Sequence, residues 1–378
     1  MTEGVYLDYA ATTPVDPRVL AAMLPYFTDR PGNASSMHAF GQEARAAVDR
    51  ARVEVASLLG ARPGEIIFTS GATEADNLAV IGVAFARGGH VVTSTIEHHA
   101  IHEACHFLQE RGHEITMVPV GAAGIVDPDD VRRALRPDTS LISIMAANNE
   151  IGTLQPVSEI GAIARERGVS FHTDATQWAG ALPARVDDLQ VDLLSLSGHK
   201  RYGPKGVGAL YVRTGTPLVP LQRGGGHERG RRGGTENVPG IVGLGEALRI
   251  AGREMDDETE RVTALRDRLI AGALAIPGVA LNGDPGRRLA NNVNVSVDGT
   301  DSQSLVIALD LRGVAVSAGS ACSSGTLEAS HVLTALGVPP ARAASAVRLT
   351  LGRPTTAVEV DIALDVLRAV VPQLRRAA

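Results

Sequence analysis

Aromatic side chains make up only 3% of the 378 residues, and cysteine occurs just twice, as Cys105 and Cys322. Two thiols are too few for a disulfide framework, or for the four thiolates that an iron–sulfur cluster usually takes from one chain. Long apolar runs are also missing: nothing approaches the roughly 18 residues of a membrane span. The N-terminus carries Glu3 and Asp8 in place of an apolar leader, so a cytoplasmic location without membrane contact is expected. The net charge of −6 is spread along the chain, with no basic block interleaved with aromatics, which argues against direct nucleic-acid binding. What remains is a hydrophobic content of 44%, ample for one large core or two smaller ones, and the expectation of a small-molecule site.

Periodicity organises the chain. Val5–Tyr9 reads as a short strand, and Pro17 opens a helix with Val19, Ala22, Met23 and Tyr26 on one face. Ala44, Ala47, Val48, Ala51, Val55 and Leu58 are spaced for a second helix, with Gly60 as its C-terminal cap. Strand-like runs at 65–69, 91–94, 115–118, 141–145, 169–173 and 193–196 then alternate with helical segments, which predicts an α/β fold with a mostly parallel sheet. Ligands of such sheets sit beyond the carboxyl ends of the strands, where Thr73, His98, Asn149, Asp174 and Lys200 are all expected to project. The glycine- and arginine-rich stretch 224–237 reads by composition as a mobile basic loop. A long helix comes next, from about Gly240 to Ala273, and a boundary to a smaller α+β unit is expected near residue 255, with strands at 292–296 and 314–317.

Several clusters carry chemistry. Lys200, in Ser197-Gly-His-Lys200, follows a buried strand, where a desolvated amine can condense with a carbonyl; Ser197 and His199 can hold an anion beside it. Ser70-Gly-Ala-Thr-Glu74 joins a strand to a helix start, a site for an anion or an ordinary N-cap. Asp174 ends a buried strand and needs a cationic or N–H partner, either a protonated ring nitrogen or the amides of the next helix. His102-Glu-Ala-Cys-His106 matches a zinc pattern, but its imidazoles flank an apolar stripe and no third ligand lies downstream. His98, at a helix start, is the better aromatic plate and proton carrier. Cys322 sits among small polar residues as an exposed nucleophile, whereas Cys105 belongs to an apolar stripe. Arg348, flanked by apolar residues, suits a bidentate carboxylate or a salt bridge.

The motifs Tyr6-Leu-Asp-Tyr-Ala-Ala-Thr-Thr-Pro14, Thr69-Ser-Gly-Ala-Thr-Glu74, Asn148-Asn-Glu-Ile-Gly152, Asp174-Ala-Thr-Gln177, Ser197-Gly-His-Lys200 and Gly319-Ser-Ala-Cys322 span nearly the whole chain. With them it resembles the NifS/IscS-type cysteine desulfurases, pyridoxal-phosphate enzymes of the aspartate-aminotransferase fold (fold type I). That resemblance implies a large cofactor-binding domain of residues 15–254 and a small domain of 1–14 with 255–378 that carries the cysteine loop. It implies that Lys200 holds pyridoxal 5′-phosphate covalently, Asp174 pairs with the ring nitrogen, His98 stacks on the ring, and Gln177 and Asn149 contact the ring hydroxyl side. Ala72, Thr73, Ser197 and His199 are then expected on the phosphate, Thr235 on the phosphate of a neighbouring subunit in a homodimer, and Arg348 with Asn33 on the substrate carboxylate. The activity implied is conversion of L-cysteine to L-alanine with a persulfide on Cys322, for delivery to an iron–sulfur scaffold or a tRNA-thiolation enzyme. No metal of its own is expected, with Cys322 available to a partner's cluster.

Two departures qualify the likeness. The chain stops at Arg375-Arg-Ala-Ala378 without the longer tail by which some family members dock a scaffold, and Ala34 replaces a common proline. Against desulfuration stand an aminotransferase or β-lyase, which need no loop thiol, a zinc protease, and a non-catalytic sulfur carrier in which Lys200 is dispensable.

Overall fold

The computed structural model describes residues 4–318 and 330–377. Cys322 and its neighbours in 319–329 lie outside the described residues. Local signals decide most element starts and stops. After β1 (Val5–Tyr6), α1 (Pro17–Met23) begins where Asp16 accepts the Arg18 N–H and Pro17 occupies the first turn, in which no amide donor is needed. α2 (Ala39–Leu59) buries the predicted alanine and valine face and ends at Gly60, whose φ of 61° makes the left-handed cap.

The alternating region forms β2 (Ile66–Thr69), α3 (Ala72–Arg87), β3 (His90–Ser94), α4 (His99–Gln109), β4 (Ile115–Val118), α5 (Pro128–Ala134), β5 (Thr139–Ser143), α6 (Val157–Arg167), β6 (Ser170–Asp174), β7 (Leu193–Ser197) and β8 (Gly208–Val212). Among the described residues these strands make a seven-stranded sheet in the order β2-β8-β7-β6-β5-β3-β4. Only β8 is reversed, antiparallel to both β2 and β7, so the other six strands end at one edge. β4 and β5 lie on opposite sides of β3, which puts a switch in strand order beside that edge. β2, β3 and β5 to β8 are buried throughout, which is why they lack the alternation of a half-exposed strand.

α7 (Val238–Leu274) is one continuous helix that serves two cores: Leu244 and Leu248 pack with the large sheet, Val262 and Leu269 with a second core nearer the C-terminus. Around that second core, β9 (Val279–Leu281), β10 (Asn292–Val297), α8 (Ser302–Asp310), β11 (Val314–Ala315), β12 (Ser317–Ala318), α9 (His331–Ala335), α10 (Pro340–Ala343), β13 (Ala346–Thr350) and α11 (Ala357–Ala377) complete the chain. β12, β13, β10 and β9 form an antiparallel sheet, while β1 pairs in parallel with β11. Val5 and Leu7 therefore join the second core, with Val293, Val295 and Leu364. The single strand expected at 314–317 is two: the chain leaves β1 at Val316 and turns to pair Ser317 with Arg348.

The stretch 224–237 also departs from expectation. Glu228 is buried and takes both guanidinium nitrogens of Arg52 at 2.7 and 2.8 Å, while Arg232 holds Glu74 at 2.8 Å. Composition suggests a free basic loop because the partners that pin it sit some 160–180 residues away. No helix among the described residues is long and apolar enough to cross a membrane.

Candidate active site

A cavity of about 560 Å³ opens at the carboxyl edge of the large sheet. One end is an anion cradle. α3 starts at Gly71 and Ala72 with no side-chain cap, leaving the first-turn amides and the positive end of the helix dipole open. Glu74, tied to Arg232, accepts the Ser70 N–H at 2.8 Å and stiffens the approach. Behind the cradle runs Gly208, where a Cβ would lie 2.7 Å from the Gly71 carbonyl carbon, so only glycine lets β8 pass. Thr73, Ser197 and His199 face the same space. Burial, then the charges of Lys200 and Lys205, push His199 down to about 4, so its ring is neutral.

Lys200 lies on the short turn Gly198–Lys200 directly after β7, and its Nζ donates to the carbonyls of Ala10 and Ala11 at 2.8 Å. The N-terminal segment is laced to that turn, with Thr13 donating through N and Oγ1 to His199 O and accepting the Tyr202 N–H. Gln177 Nε2 donates to Ala10 O at 3.0 Å. Asp174, at the end of β6 and 6% exposed, accepts the Thr176 N–H at 2.9 Å in the turn that follows; the chain runs from there to β7 without the helix that Asp174 could have capped. His98 caps α4 through Nδ1, which accepts the Ala100 N–H at 3.1 Å; burial holds its ring below the usual imidazole range, against the pull of Asp174. A polar cluster lies behind: Asp76, forced well above the carboxylate range by burial and then by the charge of Asp174, and His172, pushed down to about 3 by burial and paired with Ser143 and Ser195 at 2.9 Å.

The other end is built around Arg348 of β13. Nη1 donates to Asn149 O and Nη2 to Asp8, each at 2.9 Å, and the buried Nε has no partner among the described residues. The salt bridge and the free donor thus coexist. Glu150 lines this end, with Oε2 accepting from Ser330 Oγ at 2.5 Å.

Ten of the expected residues border this one cavity: Ala72, Thr73, Ser197 and His199 at the cradle, His98, Asp174, Gln177 and Lys200 in the middle, Asn149 and Arg348 at the far end. Asn33 and Thr235, expected on the substrate carboxylate and on a neighbouring subunit's phosphate, are exposed and do not border this cavity. Asn33 instead accepts the Ser35 N–H in its own turn. Cys105 is fully buried, its thiol pushed up to about 12 by burial. The zinc-pattern pair is engaged elsewhere, His102 donating to Ser94 O and His106 meeting Gln109. Sequence reading misses Asp8, Asp76, Glu150, His331 and the carbonyls of Ala10 and Ala11. A main-chain carbonyl has no residue-type signature, and Asp8 is visible only as part of a motif.

The donor set fits pyridoxal phosphate: an uncapped helix start for a phosphate, an amine in reach of an aldehyde, and a carboxylate for a ring nitrogen. The aminotransferase class-V family model matches residues 5–363. The chain is 53% identical to a cysteine desulfurase IscS of Dictyoglomus turgidum, over 99% of this chain and 96% of that protein. It is 52% identical to the one of Methanosarcina thermophila, over 99% and 93%. Among solved structures, a NifS-like protein superposes with a TM-score of 0.92 at 38% identity, over 98% of this chain and all of that one.

Proposed function

The chain belongs to the aminotransferase class-V family and is a pyridoxal-phosphate-dependent cysteine desulfurase, and from that premise we propose how its own residues divide the work. Ala72, Thr73, Ser197 and His199 hold the phosphate, Asp174 keeps the ring nitrogen protonated, His98 covers the ring face, Gln177 and Asn149 contact the ring hydroxyl side, and Lys200 is the anchoring amine. When bound, the cofactor supplies a carbonyl carbon for amines and a ring that stores the electrons released at the substrate α-carbon. Lys200 Nζ carries the proton to and from that carbon, and Arg348 binds the substrate carboxylate. Cys322, as thiolate, attacks the substrate sulfur. A sulfur–sulfur bond forms as the carbon–sulfur bond breaks, the electron pair of that bond stays with carbon, and a proton added there gives L-alanine.

What supports this reading is one cavity in which Lys200, Asp174 and His98 lie between an open helix N-terminus and a buried arginine whose Nε has no partner among the described residues. The deciding measurement is made on Cys322→Ser. It retains the visible absorption of the bound cofactor and releases almost no sulfide from L-cysteine; sulfide release at the wild-type rate overturns the assignment.

The exposed position of Thr235 supports a homodimer in which it reaches the partner copy's phosphate. The two cores support two units, 15–254 and 1–14 with 255–378. The persulfide passes to an acceptor protein, an iron–sulfur scaffold or a tRNA-thiolation enzyme. Cys105, a free thiol, suits a reducing compartment, and the cytoplasm is the location we assign.

A further inference from the structure

Glu150 is a buried carboxyl that the desulfuration chemistry leaves without a task. It borders the cavity at 4% exposure, one residue beyond Asn149. Its main chain is held in place: the N–H donates to Asn148 Oδ1 at 2.9 Å, and the carbonyl accepts from Asn292 and Asn294 of β10 at 3.2 and 3.1 Å. Gly152, with φ of 75°, completes the turn against Asn292. On the side chain, the one proton of the Ser330 hydroxyl is committed to Oε2, while Ser330 Oγ accepts the Leu333 N–H at 3.2 Å as the cap of α9.

The charged and titratable neighbours come from several elements. Arg348 lies on β13 and its Nη2 donates to Asp8 at 2.9 Å. His331 follows Ser330 on α9, donates Nε2 to Glu97 O, and is held neutral by burial, at about 4. His98 and His99 border the cavity from α4. Burial pushes Glu150 up to about 7 even though Ser330 and Arg348 both favour its ionised form. Arg348 already balances Asp8. A substrate carboxylate arriving there is therefore a third anion around one guanidinium, in a site of low dielectric where like charges repel strongly. The least costly relief is a proton on the carboxyl that burial already disfavours as an anion.

We propose that Glu150 makes carboxylate binding at Arg348 electroneutral: it takes one proton from solvent onto Oε1 when an α-amino acid docks, and returns it when the product leaves. Ser330 keeps its bond to Oε2 throughout. The inference rests on Arg348 being the carboxylate site, and the test separates the two.

The experiment is calorimetric titration of the holoenzyme with L-alanine, which brings the carboxylate without a thiol, in paired buffers of different ionisation enthalpy. Proton uptake by groups common to both proteins cancels when Glu150→Gln is subtracted from wild type. The difference is expected to be about half a proton at pH 7 and close to one at pH 8. Equal proton counts at both pH values overturn the proposal. Ser330→Ala removes a donor that favours the ionised form, so its uptake moves to higher pH; an unmoved profile also overturns it. Arg348→Lys with undiminished L-alanine affinity sinks the underlying carboxylate reading instead. Weakened affinity in that variant, together with equal proton counts in wild type and Glu150→Gln, sinks the Glu150 role alone.

Discussion

The two ends of the cavity are assembled in opposite ways. At the cofactor end, Thr73, Asp174, Ser197 and Lys200 each lie at or just past the end of a strand in one sheet, and the strands align them. At the substrate end, Arg348 meets Asp8 across 340 residues of sequence, and Glu150 meets Ser330 across 180. The first end takes its frame from a sheet whose strands point one way, and Ala10, Ala11 and Arg232 are added to that frame from afar. The second needs β1, β13, the turn after β5 and the start of α9 to arrive together, and it exists only once the two cores have docked. A cofactor pocket and a substrate pocket within one cavity can thus differ in how much of the fold each requires.

Mutations can test whether the ends are separable. The largest effect is expected from Lys200→Ala, which removes both the anchoring amine and the proton carrier: alanine formation falls by ~10³-fold or more, and the visible absorption of the covalently held cofactor is lost. An alanine assay and a spectrum on the same sample check it.

Arg348→Lys keeps the charge but loses the planar fork that contacts Asp8, Asn149 O and the cavity at once. The KM for L-cysteine is expected to rise by about 10- to 30-fold, corresponding to the roughly 1.5–2 kcal/mol of a charge-assisted hydrogen bond. Cofactor content stays unchanged if the ends are independent; a parallel loss of cofactor breaks the comparison.

The smallest effect concerns pH at the substrate end. Burial, the dominant cause, lowers His331 from the ordinary imidazole value of 6.5 to about 4, so the unfolded chain binds a proton that the folded chain refuses between pH 6.5 and 4. The stability tied to this neutral ring is fully present above pH 6.5 and is lost as the pH falls through that window. The ring is partly exposed, so about 1 kcal/mol is expected between roughly pH 6.5 and 5.5. Urea unfolding at the two pH values reads it, and His331→Asn should flatten the dependence.

Legibility follows the same division. The βα alternation, the glycine cap at Gly60 and the placement of Lys200 and Asp174 at strand ends are readable because each signal lies within a few residues of the feature it sets. Arg348 is readable as a buried cation but not as the partner of Asp8. The pinning of 224–237 is hidden because Glu228 shows its use only beside Arg52. Asp76 shows nothing in sequence either: a carboxyl on a helix reads as a solvated face until burial and Asp174 make it costly to ionise.

Backbone periodicity, caps and apolar runs are local, so the order of elements and the reactive lysine and aspartate at strand ends belong to the sequence alone. Partnership and desolvation are not local. The carbonyls that receive Lys200 Nζ, the burial of the Arg348 Nε away from any partner among the described residues and the near-neutral titration of Glu150 came into being only when distant segments packed and water was excluded between them, because hydrogen bonds and charge energies depend on separation in space.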